Sequence, residues 1–354
     1  VTLLTSWNRT GLAGSGVVTS VSSVRHCLAA TGVDTHTISF QQEQTGYLRT
    51  ILQRIAFNYR LDPDGFHDTP LVFGFDYDGF AVARRLPCPL VQVNGGILAD
   101  ILPFETGLPR QLLRWQARLE ARAARAAAAV IAPSRYTASV IQATYEIPAT
   151  RIHVLPFGID PAPWSPPAQC PPADRAPVVL CVAKLYPRKN VSLLLAAFEL
   201  VAAAIPQARL EIAGDGPQLP EITARVSRHP ARGSITLHGG VPRDSLPQVY
   251  HQARVFCLPS RHETFGFAFL EAMAAGLPVV ALATTAVPEM VLDGETGLLS
   301  RTDSAAELAA LLIRLLSDDA LVRRLGEGGR RRAAGYSFPR VGSLWRELVE
   351  RYGR

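Results

Sequence analysis

Short apolar, β-branched runs alternate along this chain with longer helical stretches. The runs suit strands buried in a parallel sheet, and the stretches between them suit helices laid on its faces. In the second half the pattern predicts strands V-V-L-C-V-A (178 to 183), R-L-E-I-A-G (209 to 214), S-I-T-L-H-G (234 to 239), V-F-C-L-P (255 to 259) and P-V-V-A-L (278 to 282). Helices fill the gaps, for example over 191 to 204 and 267 to 275. The first half is less regular, with strands expected at 1 to 5, 34 to 39, 71 to 75, 90 to 93 and 129 to 132, and a long helix over 109 to 128. Both halves thus read as α/β, Rossmann-like, doubly wound parallel sheets, whose ligands sit beyond the carboxyl ends of the strands.

The segment P-A-P-W-S-P-P-A-Q-C-P-P-A-D-R-A-P, 161 to 177, holds seven prolines in 17 residues. That density forbids helix and central strand alike and predicts a semi-rigid linker. The expected division is therefore an N-terminal domain over 1–160, the linker over 161–177, a C-terminal domain over 178–340, and a closing helix over 341–354. The closing stretch V-G-S-L-W-R-E-L-V-E-R-Y is amphipathic, with Leu344, Trp345 and Leu348 on one side. Two facing domains leave a cleft, the default place for a site.

Composition narrows the class. At 354 residues, 48% hydrophobic and 19% charged, the chain is long enough for two ordinary cores. Apolar runs such as 126 to 132 stop well short of the roughly 20 residues of a bilayer span. The opening V-T-L-L-T-S-W reads as a strand with no basic region before it, so no signal peptide is expected. Five scattered cysteines without C-x-x-C spacing suit a reduced, cytoplasmic protein without structural zinc. The net charge of +6 is spread, with 14 bases against 12 acids in 1 to 160 and 22 against 18 in 161 to 354. Neither half is a nucleic-acid-binding arm.

Of the 36 basic residues only Lys184 and Lys189 are lysine, and both lie in A-K-L-Y-P-R-K-N after the first strand of the second domain. A compact ammonium suits phosphate bound as a point charge, although a solvated loop would also accommodate the pair. Further on, S-R-H-E-T-F-G-F-A-F-L-E-A-M-A-A-G-L-P-V-V-A (260 to 281) sets Glu263 and Glu271 either side of seven residues. Glu263 falls on the loop after a strand, where capping a helix entry is an adequate role for an acid. Glu271 interrupts an apolar helix face, and a buried carboxylate needs partners. Between them Gly266 lets backbone N–H groups approach an anion at the helix start. Lysines from one loop and amides from another would suit a nucleotide diphosphate.

The E-x7-E element Glu263 to Glu271, followed by G-L-P-V-V-A and V-P-E-M-V-L-D-G-E-T-G-L-L (287 to 299), resembles the signature of family 4 of the retaining nucleotide-sugar glycosyltransferases. K-L-Y-P-R-K-N, A-G-D-G-P (213 to 217) and V-L-P-F-G-I-D (154 to 160) sit where that family has its phosphate loop, a tight turn and the crossing between domains. The resemblance spans residues 150 to 340 and implies the GT-B fold, with the first domain on the acceptor side. It further implies that Lys184 and Lys189 bind the donor diphosphate, Glu263 the hydroxyls of the transferred sugar, and Glu271 the ribose hydroxyls. Phe265, Gly266 and Phe267 would offer main-chain amides. The family usually has arginine at the first of these positions, so Lys184 departs from it while keeping the charge.

In the first half T-G-L-A-G-S-G-V-V (10 to 18) has the spacing of an ordinary strand-to-helix turn. The resemblance makes Gly14, Ser15 and Gly16 candidates to face the donor diphosphate. Asp62-Pro63-Asp64 reads as turn chemistry. Asp76-Tyr77-Asp78 follows a strand, but no further carboxylate or histidine cluster supports a metal, and metal-independent chemistry without a cofactor is expected. After V-Q-V (91 to 93), relatives commonly place a histidine near the sugar, whereas this chain has Asn94, which hydrogen-bonds but carries no proton at neutral pH. Arg114, Arg118, Arg122 and Arg125 recur at helical spacing beside Trp115 and Glu120. Such a row is usually a solvated face, and it also suits weak peripheral contact with the inner face of a membrane.

The reading reached is a retaining, metal-independent transferase that moves a hexose from a UDP- or GDP-sugar to a hydroxyl acceptor. A nucleotide-sugar epimerase or hydrolase of the same fold would need acid–base groups for which the sequence shows no candidates. A catalytically silent sugar-nucleotide-binding subunit would not need the glutamate and lysine pairs. Neither domain presents G-x-G-x-x-G after its first strand, which argues against a dinucleotide oxidoreductase.

Overall fold

The computed structural model describes residues 1–7, 16–41, 46–165 and 171–353. Two candidates, Gly14 and Ser15, lie outside the described residues. The chain forms two compact units, Val1–Gly158 together with Phe338–Arg354, and Ile159–Ser337.

In chain order the first unit contains β1 (Thr2–Thr5), α1 (Gly16–Ala29), β2 (His36–Ser39), α2 (Tyr47–Tyr59), β3 (Val72–Phe75), β4 (Leu90–Val93), α3 (Gly107–Ala126), β5 (Ala129–Ala132), α4 (Arg135–Tyr145) and β6 (Ile152–Val154). The second contains β7 (Val178–Val182), α5 (Val191–Ala204), β8 (Arg209–Ala213), α6 (Leu219–Ser227), β9 (Ile235–Gly239), α7 (Leu246–Gln252), β10 (Val255–Leu258), α8 (Phe267–Ala274), β11 (Val279–Leu282), α9 (Val287–Met290), β12 (Gly297–Ser300), α10 (Ala305–Ser317) and α11 (Asp319–Ala334). The last helix, α12 (Phe338–Tyr352), belongs to the first unit.

Each unit holds a six-stranded parallel sheet, in the orders β2-β1-β3-β4-β5-β6 and β12-β11-β10-β7-β8-β9. The inner strands β1, β3, β4, β5, β10 and β11 are buried along their whole length. Helices cover both faces of such a sheet, so its strands are apolar runs rather than alternating ones. Among the described residues, the sequence pattern missed β6 and β12. Both are edge strands, I-H-V and G-L-L-S, too short and too polar to announce themselves.

In each order the direction of winding reverses once. The reversal falls between β1 and β3 in the first sheet and between β7 and β10 in the second. At such a point the loops leaving neighbouring strands diverge to opposite faces and open a crevice at the carboxyl edge.

The described parts of the proline-rich segment lie inside the second unit. They form two 3₁₀ turns, Ala162–Trp164 and Pro172–Asp174, and no helix or strand, as proline requires. Trp164 is buried with its ring edge-on to Tyr250 at 5.3 Å, and Arg175 donates to the carbonyl of Ala253 at 2.7 Å. The segment is fastened to α7 at both ends.

Helix α12 lies along α1. Gly342 is what allows the approach, because a Cβ there would overlap the carbonyl oxygen of Cys27. Trp345 is fully buried, edge-on to Phe73 at 5.5 Å, with its indole N–H donated to the carbonyl of Pro156 at 3.1 Å.

Candidate functional site

At the carboxyl edge of the second sheet three cation–carboxylate pairs are set out on successive loops. Lys184 follows β7, and its Nζ meets Asp215 Oδ1 at 2.5 Å. Asp215 belongs to A-G-D-G-P, which turns tightly against the Lys184 loop: a Cβ on Gly214 would overlap the carbonyl of Ala183, and one on Gly216 the backbone of Leu185. Leu185 N donates to the Asp215 carbonyl at 2.7 Å, which locks the two loops together.

Lys189 ends a 3₁₀ turn, Pro187–Lys189, at the entry to α5. Its Nζ lies 2.6 Å from Glu263 Oε1, across the reversal between β7 and β10. Ser260 Oγ donates to the same oxygen at 2.8 Å, and the Glu263 amide donates to Thr285 Oγ1 at 3.0 Å. Both side chains of the pair are largely buried, at 15% and 9% exposure. Burial alone would raise the Glu263 carboxyl, but the charge and hydrogen bond of Lys189, the Ser260 hydroxyl and nearby Arg188 outweigh it and hold the group below its ordinary range.

Glu271 is the fifth residue of α8, just past its first turn, buried, and receives Arg243 Nη1 on Oε1 at 2.9 Å and the Tyr250 hydroxyl on Oε2 at 3.1 Å. Here burial prevails over both partners and the carboxyl is raised. Gly266 opens α8 in the left-handed conformation (φ 89°), where an added Cβ would strike the Phe269 ring. It offers no capping side chain, and the first turn of α8 carries no acid. Phe265 is buried, edge-on to Phe267 at 5.0 Å and near Tyr336 at 6.0 Å, so its side chain serves packing.

Four residues of this cluster, Asp215, Arg243, Tyr250 and Ser260, were not singled out from the sequence. Arg243 is one arginine among 34, and nothing local marks it.

In the first unit Gly16 is the exposed first residue of α1. Asp76 and Asp78 are committed to protein partners at the reversal between β1 and β3. Asp76 Oδ2 accepts from Arg54 Nη2 at 3.1 Å and from the Trp7 indole at 3.0 Å. Asp78 accepts from the Ser6 amide at 2.6 Å and from Asn58 Nδ2 at 2.8 Å. The Arg54 guanidinium is buried between the rings of Trp7 (4.1 Å) and Tyr77 (4.2 Å) and also donates to Ser6 Oγ at 2.8 Å. Burial raises Asp78 to about 6 despite Arg54, Ser6 and Asn58.

Asn94 follows β4 and is wholly enclosed, with Nδ2 donated to Glu120 Oε1 at 2.9 Å. Glu120 also accepts from Leu98 N at 2.9 Å and from the Tyr145 hydroxyl. It is fully buried, so the sequence reading that set it beside the solvated arginine row is corrected: α3 presents Glu120 to the core and Arg114, Arg118, Arg122 and Arg125 to solvent. Burial drives its carboxyl up to about 8, against the pull of Tyr145, Leu98 and Asn94. The signal was present, since Glu120 shares a helical stripe with Ala117, Ala121 and Ala124, all buried. Arg125 is partly diverted, to the Tyr145 carbonyl at 3.1 Å and to Glu146.

The model of the family described as Glycosyltransferase Family 4 matches residues 71–163, and that of Glycosyl transferases group 1 matches residues 167–332. The chain is 32% identical over 315 residues to an MMP alpha-(1->4)-mannosyltransferase of Mycolicibacterium hassiacum, which covers 84% of this chain and 72% of the relative. It is 30% identical over 211 residues to a GDP-mannose-dependent alpha-(1-6)-phosphatidylinositol monomannoside mannosyltransferase of Mycolicibacterium smegmatis, covering 56% of this chain and 55% of that one. The chain thus spans about half the length of this second relative. In structure it is similar to a sucrose-phosphate synthase from Thermosynechococcus elongatus, with a TM-score of 0.80 at 21% identity over 99% and 98% of the two chains. The fold is GT-B, and the chain belongs to glycosyltransferase family 4.

Proposed function

We propose that this chain transfers a hexose, with retention and without a metal, from a UDP- or GDP-sugar to a hydroxyl acceptor. The observation that carries the reading is the gathering of Lys184, Lys189 and Arg243 with Glu263 and Glu271 on the loops that leave β7, β9 and β10 and on the helix that follows β10. Two ammonium groups and the start of α8 suit a diphosphate, whose charge grows as it departs. Both bonds to Glu263 fall on Oε1, which leaves Oε2 for a hydroxyl of the sugar. Each oxygen of Glu271 has one protein donor and a further lone pair for the ribose.

On this reading the bond from the anomeric carbon to the diphosphate oxygen breaks, and a bond to the acceptor oxygen forms on the same face. The acceptor proton passes to the departing phosphate oxygen, so no side-chain base is required. The GDP-mannose dependence in the name of one relative supports a guanosine donor as the first to try. The exposed arginines of α3, beside half-exposed Trp115, support peripheral contact with an anionic surface.

The test is product analysis after incubation with GDP-mannose, UDP-glucose and related donors, with and without chelator, and with the anomeric configuration read by NMR. A retained linkage that survives the chelator is the expected result. An inverted product ends the proposed stereochemistry, loss of turnover with chelator ends metal independence, and release of free sugar alone replaces transfer with hydrolysis.

A further inference from the structure

Glu263 stands on the loop between β10 and α8, where neither strand nor helix fixes the main chain. Lys189 and Ser260 hold its side chain. Its main chain is held from the next loop, the one that leaves β11. Glu263 N donates to Thr285 Oγ1 at 3.0 Å, and Ala286 N donates to the Glu263 carbonyl at 3.3 Å.

That second loop turns at residues 284–287, closed by Val287 N on the Thr284 carbonyl at 3.0 Å. Thr285, the first central residue, has φ 50°, and Ala286, the second, has φ −81° and ψ −3°. A positive φ followed by those angles matches a type II′ turn, whose first central place belongs to glycine. Four non-glycine residues have a positive φ among the described residues, Asp76, Glu146, Asn190 and Thr285, and of these only Thr285 is β-branched. A branched side chain makes that backbone a strained one, kept only where the surroundings enforce it. Glycine would relieve the strain, but it has no hydroxyl to receive the Glu263 amide.

We propose that Thr285 is a positioning residue: it holds a strained backbone so that its hydroxyl fixes the main chain of Glu263, and through it the carboxylate that meets the transferred sugar. The proposal rests on the glycosyl-transfer reading above. Both residues belong to the second unit.

The test uses the full chain with the donor found in the product assay. Thr285→Gly should lower kcat about five- to tenfold, the effect of one main-chain hydrogen bond, and Thr285→Ser, which keeps the hydroxyl, should recover most of that loss. Affinity for GDP or UDP alone, read by calorimetry, should stay the same, because neither nucleotide carries the sugar that Glu263 serves. Against burial, Lys189, Ser260 and Arg188 hold the Glu263 carboxyl low. A Glu263 that slackens from them should therefore carry the acid limb of the kcat profile to higher pH in Thr285→Gly.

A Thr285→Gly chain that turns over as fast as the unmodified one overturns the proposal. So does a loss that Thr285→Ser does not recover, a loss matched by weaker nucleotide binding, or a loss with the acid limb unmoved, each the mark of a residue that serves only the fold. Should Thr285→Gly fail to fold, Thr285→Val, which keeps the branching and lacks the hydroxyl, is read by the same measures. An unmodified chain that turns over no donor defeats the transfer reading and this proposal together, whereas an active chain indifferent to Thr285→Gly defeats this proposal alone.

Discussion

The two sheets reverse their winding at equivalent places, yet the crevices are filled differently. Between β7 and β10 stands the Lys189–Glu263 pair, joined to Ser260 and flanked by loops bearing Lys184 and Arg243. Between β1 and β3 the chain fills the place with its own groups: Arg54 between two aromatic rings, Asp76 against Arg54 and Trp7, Asp78 against Ser6 and Asn58. The first crevice keeps charges that a ligand can redistribute; the second uses the same chemistry to anchor the end of β1. A topological switch point therefore predicts a place for a ligand, and the side chains standing there decide whether it is used as one.

The largest effects come from breaking one member of each plug. Lys189→Ala leaves Glu263 buried without its cation, so transfer should fall by about 100- to 1000-fold and stability by about 3–5 kcal/mol. Replacing Lys189 by Met and Glu263 by Leu together should restore much of that stability but none of the turnover, as read by denaturant midpoints and product formation. Arg54→Met should destabilise by a similar amount through Asp76, yet calorimetry on the folded fraction should show nucleotide affinity unchanged. Altered affinity would mean that the crevice between β1 and β3 is also a binding place.

An intermediate effect is expected at Arg243→Ala, which strips one charged donor from Glu271. Donor affinity should weaken by about ten- to a hundredfold, measured by titration with the nucleotide sugar.

The pH response separates Glu263 by sign from Glu271, Glu120 and Asp78. Glu120, raised from 4.5 to about 8, and Asp78, raised from 3.8 to about 6, bind protons more tightly folded than unfolded. Their contribution is complete below those unfolded values and is lost as pH climbs through 6 and then 8. Glu263, depressed by Lys189, contributes above its unfolded value and loses that contribution as pH falls through its folded one, while Glu271, raised by burial, sides with the first group. Unfolding midpoints from pH 5 to about 8.5 should thus flatten in Glu120→Gln relative to the unmodified chain. The smallest effect belongs to Asp215→Asn, because the Lys184–Asp215 pair is 28% and 48% exposed and contributes within about 1 kcal/mol to stability.

The sequence showed this contrast only in part. The strands that fill the two sheet interiors were legible because burial on both faces leaves continuous apolar runs, and Glu271 was legible as an acid breaking such a face. Glu120 breaks the Ala117–Ala121–Ala124 stripe in the same way but was masked by the arginines that recur at each turn of the same helix. The partners of Asp76 and Asp78 were not legible, because the residues that satisfy them, Arg54, Trp7 and Asn58, are distant along the chain. Arg243 and Tyr250 were hidden for the same reason: partnership across a parallel sheet leaves no periodic trace.

The return of α12 to the first unit has a practical meaning for anyone dividing this protein. A fragment ending at Gly158 would lack Trp345 and uncover the groove of α1 along which Gly342 runs. Such a piece would expose Phe73 and Cys27 to water and aggregate, while residues 159–337 keep their own sheet whole. Expressing the first unit alone calls for splicing residues 338–353 onto position 158 through a short flexible connector, and the gene order hides that requirement.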